Sequence, residues 1–243
     1  MKPRALNYSL PIKIKTMAII SIVFHSGLGH TKVLAEKIQE GARSVNGNEV
    51  SLLEIKGEDV SNGQWKNETI TGKLDASDAI IFGCPTYMGS ASAVFKAFLE
   101  SAFYPWLDQR WKEKVAAGFT NSASQSGDKL NTLVDLQVFA SQMGMVWIPL
   151  GDLPTNNYSE GSIRTVNRLG SFMGVMAQSN ADQSFDATPS DGDRLTALRF
   201  GAHVAKATQR WIGQAVYQTE RHNEEQWKLL EKERIGEATI HSK

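Results

Sequence analysis

The residues most able to do chemistry follow the first apolar stretch: His25-Ser26-Gly27-Leu28-Gly29-His30-Thr31-Lys32. Two glycines let a backbone approach an anion closely. Ser26 and Thr31 supply hydroxyl donors, and the N–H groups that open a following helix converge on the same spot. This is a phosphate cradle in kind. The alternative is an ordinary glycine turn with a threonine cap. Two better-defined cradles do not fit. A dinucleotide fingerprint requires glycine where Lys32 stands. A P-loop requires a second glycine before its Lys, and the run from Gly27 reaches Lys32 without that spacing.

Two further loops carry useful chemistry. Gly83-Cys84-Pro85-Thr86-Tyr87-Met88-Gly89-Ser90 is stiffened by Pro85 and allowed to turn by Gly89. Tyr87 and Met88 offer soft apolar surface to a flat ring, and the backbone can bond its edge. Asn121-Ser122-Ala123-Ser124-Gln125-Ser126-Gly127 is small and polar, leaving room for a planar ligand among many donors. Singly, each of these loops also reads as a solvated connection.

The elements that must position these loops are legible from their patterns. Residues 18–24 are nearly all apolar and β-branched, as expected for a parallel strand buried on both faces. A helix is predicted over 31–45, with Leu34, Ile38, Ala42 and Val45 on one face. Further strands are predicted at 50–55, 79–82, 115–119 and 145–150, with a possible short one at 175–176. Helices are expected at 93–102, 129–143 and 193–216. Residues 56–77 read as a loop or short helix, and 152–189 as a long irregular segment. Five strands alternating with helices argue for an α/β domain, in which ligands sit beyond the carboxyl ends of the strands where strand order reverses.

Composition narrows the partners. The 243 residues carry 26 Lys+Arg against 26 Asp+Glu, which argues against broad electrostatic binding to nucleic acid or anionic lipid. With 41% hydrophobic and 21% charged residues, the chain can fill a sizeable core. The single cysteine, Cys84, excludes an intrachain disulfide and a cysteine-rich zinc cluster. No run approaches the ~18 apolar residues of a membrane helix. No signal peptide is expected, because the apolar run after Lys13 and Lys15 is short and lacks a cleavage pattern. A cytoplasmic location is the expectation. Residues 1–16 read as an arm, 17–217 as the domain, and 218–243 as a charged helical extension.

These motifs resemble the flavodoxin-like family and, within it, the WrbA-like NAD(P)H:quinone oxidoreductases, over roughly residues 18–211. Ser26-x-x-Gly29-His30-Thr31 looks like the family's FMN phosphate loop. Pro85-Thr86-Tyr87-x-Gly89 looks like the loop bordering the isoalloxazine. Gly144-Met145-Val146 with Ile148-Pro149-Leu150-Gly151, and Pro189-Ser190-Asp191, resemble two later family motifs.

The resemblance implies a flavodoxin-like three-layer sandwich with a five-stranded parallel sheet. FMN would bind through Ser26, Leu28, Gly29, His30 and Thr31 at its phosphate. Pro85, Thr86, Tyr87, Met88 and Gly89 would meet the ring, with Asn121, Ser122, Ala123, Gln125 and Gly127 on the other side. Trp106, Met143 and Phe172 would stand toward the substrate, NAD(P)H or a quinone. Here the sequence departs from the family, with Met143 near the place of a frequent His and Phe172-Met173 replacing a Pro-aromatic pair. No side chain need act as acid or base, since the redox chemistry is the cofactor's, and no metal spacing is present. A homodimer or homotetramer is implied. The alternatives are a flavodoxin-type electron carrier and an interaction protein that kept the fold without the flavin.

Overall fold

A computed structural model describes residues 17–213. The arm at 1–16 and the extension at 218–243 lie outside the described residues.

The first apolar run forms β1 (Ala18–Phe24), which leads into α1 (His30–Arg43) and β2 (Asn48–Glu54). A small hairpin follows, β3 (Val60–Ser61) with β4 (Gln64–Trp65), then α2 (Glu68–Ala76). Asn67 caps α2 by accepting from the Ile70 N–H, and Leu74 is the one buried residue of the helix, so this segment carried little periodicity to read. Next come β5 (Ala79–Tyr87), β6 (Ser90–Ala91), α3 (Ala93–Ser101) and α4 (Phe103–Leu107). The chain then runs through β7 (Val115–Ser122), α5 (Lys129–Gln142), β8 (Val146–Trp147), β9 (Val175–Gln178) and α6 (Asp191–Trp211).

The sheet order is β2-β1-β5-β7 and then β8, with every one of these pairs parallel. Order reverses between β1 and β5, so the loops after those strands open at the same edge. Alternate residues serve opposite layers. Ile20, Ile22, Ile81 and Phe119 pack with Leu34 and Ile38 of α1 and with Phe200 and Val204 of α6. Val23, Ile80 and Phe82 pack with Phe95 and Phe98 of α3 and with Leu133 and Leu136 of α5. The result is the expected three-layer sandwich.

The fifth position in the sheet differs from the strand predicted at 145–150. Two short pieces share it. β8 pairs with Val115 and Ala116, and β9 pairs with β7 from Phe119 to Ser122. The ladder breaks after the Ile148 N–H bonds the Ala116 carbonyl at 2.8 Å, because the next donor on that side, the Leu150 N–H, bonds the Phe172 carbonyl at 3.0 Å instead of β7. The chain then leaves the sheet and returns at Gly174, where an added Cβ would stand 2.2 Å from the Gly118 carbonyl oxygen. β5 also runs five residues beyond the predicted end at Phe82. Pro85 fits there because β1 pairs with β5 only as far as Gly83, so no neighbour on that side needs its N–H.

Candidate functional site

The phosphate-type loop leaves β1 and enters α1 through Gly29, which has φ +90° and ψ −25°. That left-handed residue turns the chain into α1, whose first N–H groups have no intrahelical carbonyl to meet. Ser26 Oγ accepts from the Lys32 N–H at 3.2 Å, which leaves its own O–H free to donate. A covering segment after β9 closes on this loop. His30 Nε2 lies 3.0 Å from the Gln183 carbonyl, a bond its N–H donates. The Phe185 ring lies so close to Gly29 that a Cβ there would sit 2.6 Å from Cδ1. Arg194 in α6 holds the segment by donating to the carbonyls of Phe185, Asp186 and Pro189.

The second wall is a hairpin. Thr86 and Tyr87 pair antiparallel with Ala91 and Ser90, and Met88 and Gly89 both have positive φ, as a tight two-residue turn requires. Asn131 donates to the Gly89 carbonyl at 2.8 Å and Ser90 donates to Asp135 at 2.5 Å, so α5 fixes the turn. Tyr87 reaches across to the first loop, and a Cβ on Gly27 would lie 2.3 Å from its hydroxyl oxygen. Met88 and Leu28 stand fully and largely exposed on the rim. Beneath them runs a buried hydroxyl chain. Thr120 donates to the Cys84 carbonyl, so Thr86 donates to Thr120 and accepts from Thr132. Burial pushes the Cys84 thiol up to about 12, which makes it an inert core group rather than a nucleophile.

The third wall follows β7. Lys129, buried at the start of α5, donates to Ser122 Oγ at 2.9 Å and to the Ser124 carbonyl at 2.6 Å, bracing the loop from behind. Ser179, just past β9, donates to Asn121 Oδ1 at 3.0 Å. Arg168 forms a bidentate pair with Asp193 at 2.9 and 2.8 Å, and Asp193 also accepts from the Gln178 N–H, so the end of β9 is tied to α6.

The three walls enclose a cleft of about 600 Å³, within the range of small-molecule sites. The structure brings Leu28, His30, Thr31, Pro85, Thr86, Tyr87, Met88, Gly89, Asn121, Ser122, Ala123 and Gly127 together at it. Ser26 and Gly29 shape the loop that bounds it. Other expected residues are placed elsewhere. Gln125 lines a neighbouring groove on the far side of its loop. Met143 is a correction: it is 5% exposed in the core beside α5, because it caps the buried end of that helix, and does not reach the cleft. Trp106 is 41% exposed beside Phe103, and Phe172 lies exposed on the segment between β8 and β9; neither lines the cleft. Sequence reasoning missed Ser124, Asp128, Ser179 and Asn180 in the lining, and Phe185 over Gly29. The last three follow β9, whose sheet position no local pattern announces. Among the described residues no group of three His, Cys, Asp or Glu could hold a metal, and no helix is long and apolar enough to cross a membrane.

A doubly wound parallel sheet, with a glycine-turned loop and an open cleft at its switch point, defines a flavodoxin-fold protein. The chain belongs to the NADPH-dependent FMN reductase family, whose model matches residues 20–160. It is 39% identical over 190 residues to Flavodoxin FldP of Pseudomonas aeruginosa, covering 78% of this chain and 96% of that protein. It is 30% identical over 210 residues to an NAD(P)H dehydrogenase (quinone) of Trichlorobacter lovleyi, covering 80% and 98%. Among solved structures, a flavodoxin, WrbA-like protein from Agrobacterium tumefaciens aligns at a TM-score of 0.61 and 38% identity, covering 79% of this chain and 98% of that one.

Proposed function

We propose that the protein is an FMN-dependent oxidoreductase that passes electrons from NAD(P)H to a quinone or a similar acceptor. The observation that carries the reading is the cleft itself, a one-phosphate loop joined to a flat slot, in a chain of this family.

The residues fit the cofactor. The left-handed Gly29 and the open end of α1 suit one phosphate, and Ser26 and Thr31 add hydroxyls. Lys32, in place of a third glycine, gives no room for a dinucleotide fingerprint. The hairpin and the 121–124 loop would hold the ring between them, with Met88 and Leu28 covering its apolar part. When bound, FMN supplies a ring that takes two electrons from one substrate and gives them to the next. The protein's part is positional. Asn131 and Asp135 fix the hairpin, Lys129 fixes the opposite loop, and the 183–185 segment closes the phosphate end. No side chain in the cleft is needed as a general acid or base.

A second reading, a flavodoxin-type carrier without its own turnover, draws support from the printed name of the 39% identical relative. The FMN-loaded protein should oxidise NADH or NADPH steadily with benzoquinone in excess. A yellow protein that accepts electrons only from a reductase partner would favour the carrier instead.

The exposed Phe103, Tyr104, Trp106 and Leu107 form one apolar patch on α4, and a homodimer or homotetramer would cover it.

A further inference from the structure

Lys129 is 1% exposed, yet it has no carboxylate partner among the described residues. Among the described residues its ammonium donates to Ser122 Oγ and the Ser124 carbonyl, two neutral oxygens of the cleft wall. A buried ammonium is normally paired with an anion. The charged groups facing it are Asp193 from α6 and Arg168 from the segment between β8 and β9, and these two already neutralise each other. Asp128, its chain neighbour, is exposed, so water screens that carboxylate. One net positive charge therefore stands behind the wall.

Its position says what it acts on. The phosphate loop follows β1, and the wall that Lys129 braces follows β7, with β5 between them. Two strand spacings put the wall about 10 Å from the phosphate loop. The charge lies at the ring end of the cleft.

We infer that Lys129 is a positioning residue whose charge favours the reduced, electron-rich form of the bound flavin over the oxidised form. This rests on the FMN reading above. Burial lowers the ammonium to about 8, with Asp193 opposing that shift and Arg168 adding to it. Above that pH the group is neutral beside the oxidised ring and takes a proton back when the ring gains electrons. The preference for reduced flavin then depends on pH.

The test uses the full chain loaded with FMN or riboflavin, and measures the two-electron midpoint potential from pH 6 to 9.5 beside flavin dissociation constants. Lys129→Gln keeps a donor and removes the charge. It should weaken reduced flavin relative to oxidised by about tenfold, which for a two-electron couple is about 30 mV. The shift should be the same with riboflavin, because the charge acts on the ring. Lys129→Arg should keep the native potential. Between about pH 8 and 9 the native protein should lose that tenfold preference for reduced flavin as Lys129 deprotonates beside the oxidised ring, a loss absent in Lys129→Gln. An unchanged potential with flavin bound would overturn the inference alone. So would a shift confined to FMN, or an equal shift in Lys129→Arg. A native chain that takes up no flavin would overturn the FMN reading and this inference together.

Discussion

Gly29→Ala tests the phosphate loop where its geometry is most demanding. The residue has φ +90°, a region that costs a residue with a Cβ about 1–2 kcal/mol. The new methyl would also sit 2.6 Å from Phe185 Cδ1 and 3.2 Å from its Cβ, so the whole side chain must move. Overpacking of that kind costs about 1–3 kcal/mol, and the half-exposed ring has somewhere to go, which favours the low end. The bound form thus loses about 2–4 kcal/mol relative to the unfolded chain. If the free loop holds its shape, the loss is in stability; if it relaxes, the loss moves to FMN affinity. Urea unfolding of the flavin-free protein and a fluorescence titration with FMN measure the two parts, and their sum is the predicted quantity. Gly29→Ala combined with Phe185→Ala removes the clash and should leave about 1–2 kcal/mol from the backbone alone. A sum below about 0.5 kcal/mol for Gly29→Ala would refute the loop geometry.

Gly201→Ala should destabilise by about 1–2 kcal/mol although alanine favours helix by about 1 kcal/mol, because its Cβ would stand 2.0 Å from the Ile38 carbonyl oxygen where α1 and α6 touch. The matched control is Gly72→Ala in α2, with nothing within 4 Å, which should stabilise by about 0.5–1 kcal/mol; urea midpoints decide both. Arg168→Met leaves Asp193 buried without its partner and should cost about 3–5 kcal/mol, only part of it recovered in Arg168→Met with Asp193→Leu, since the Gln178 N–H then loses its acceptor. Light scattering at micromolar concentration should give two or four times 26.8 kDa, and the monomer mass would remove the α4 patch as a contact.

The parts of the fold legible in the sequence are those whose burial writes itself into composition. β1 is covered on both faces, so residues 18–24 are almost wholly apolar, and α1 shows its stripe because one face meets the sheet. The far half of β5 was hidden, since Gly-Cys-Pro-Thr reads as a turn. It is strand because Gly83 leaves space for the Phe119 ring and Pro85 lies past the end of the β1 ladder. The short strand expected at 175–176 is the start of β9, but the sharing of the fifth sheet position by β8 and β9 was hidden, because each piece gains its place from β7, two and four residues at a time. The first two cleft loops were readable because glycines and hydroxyls mark them. The 179–185 wall depends on where β9 ends. Lys129 was invisible because lysine is almost never buried, and its sequence context is that of a polar helix start. Met143 was misplaced because a family position near a helix end says nothing of which way that end faces the core.

The central claim is that one cleft grips FMN by a single phosphate and a flat ring. Parallel titration of the flavin-free protein with FMN, riboflavin and FAD tests it most directly. FMN should bind tightest, riboflavin should lose at least the 1.5–3 kcal/mol of about one charged hydrogen bond, and FAD should gain nothing over FMN from its added nucleotide. Thr31→Ala should weaken FMN while leaving riboflavin unchanged. Riboflavin binding as tightly as FMN, or FAD binding more tightly than either, would contradict the account.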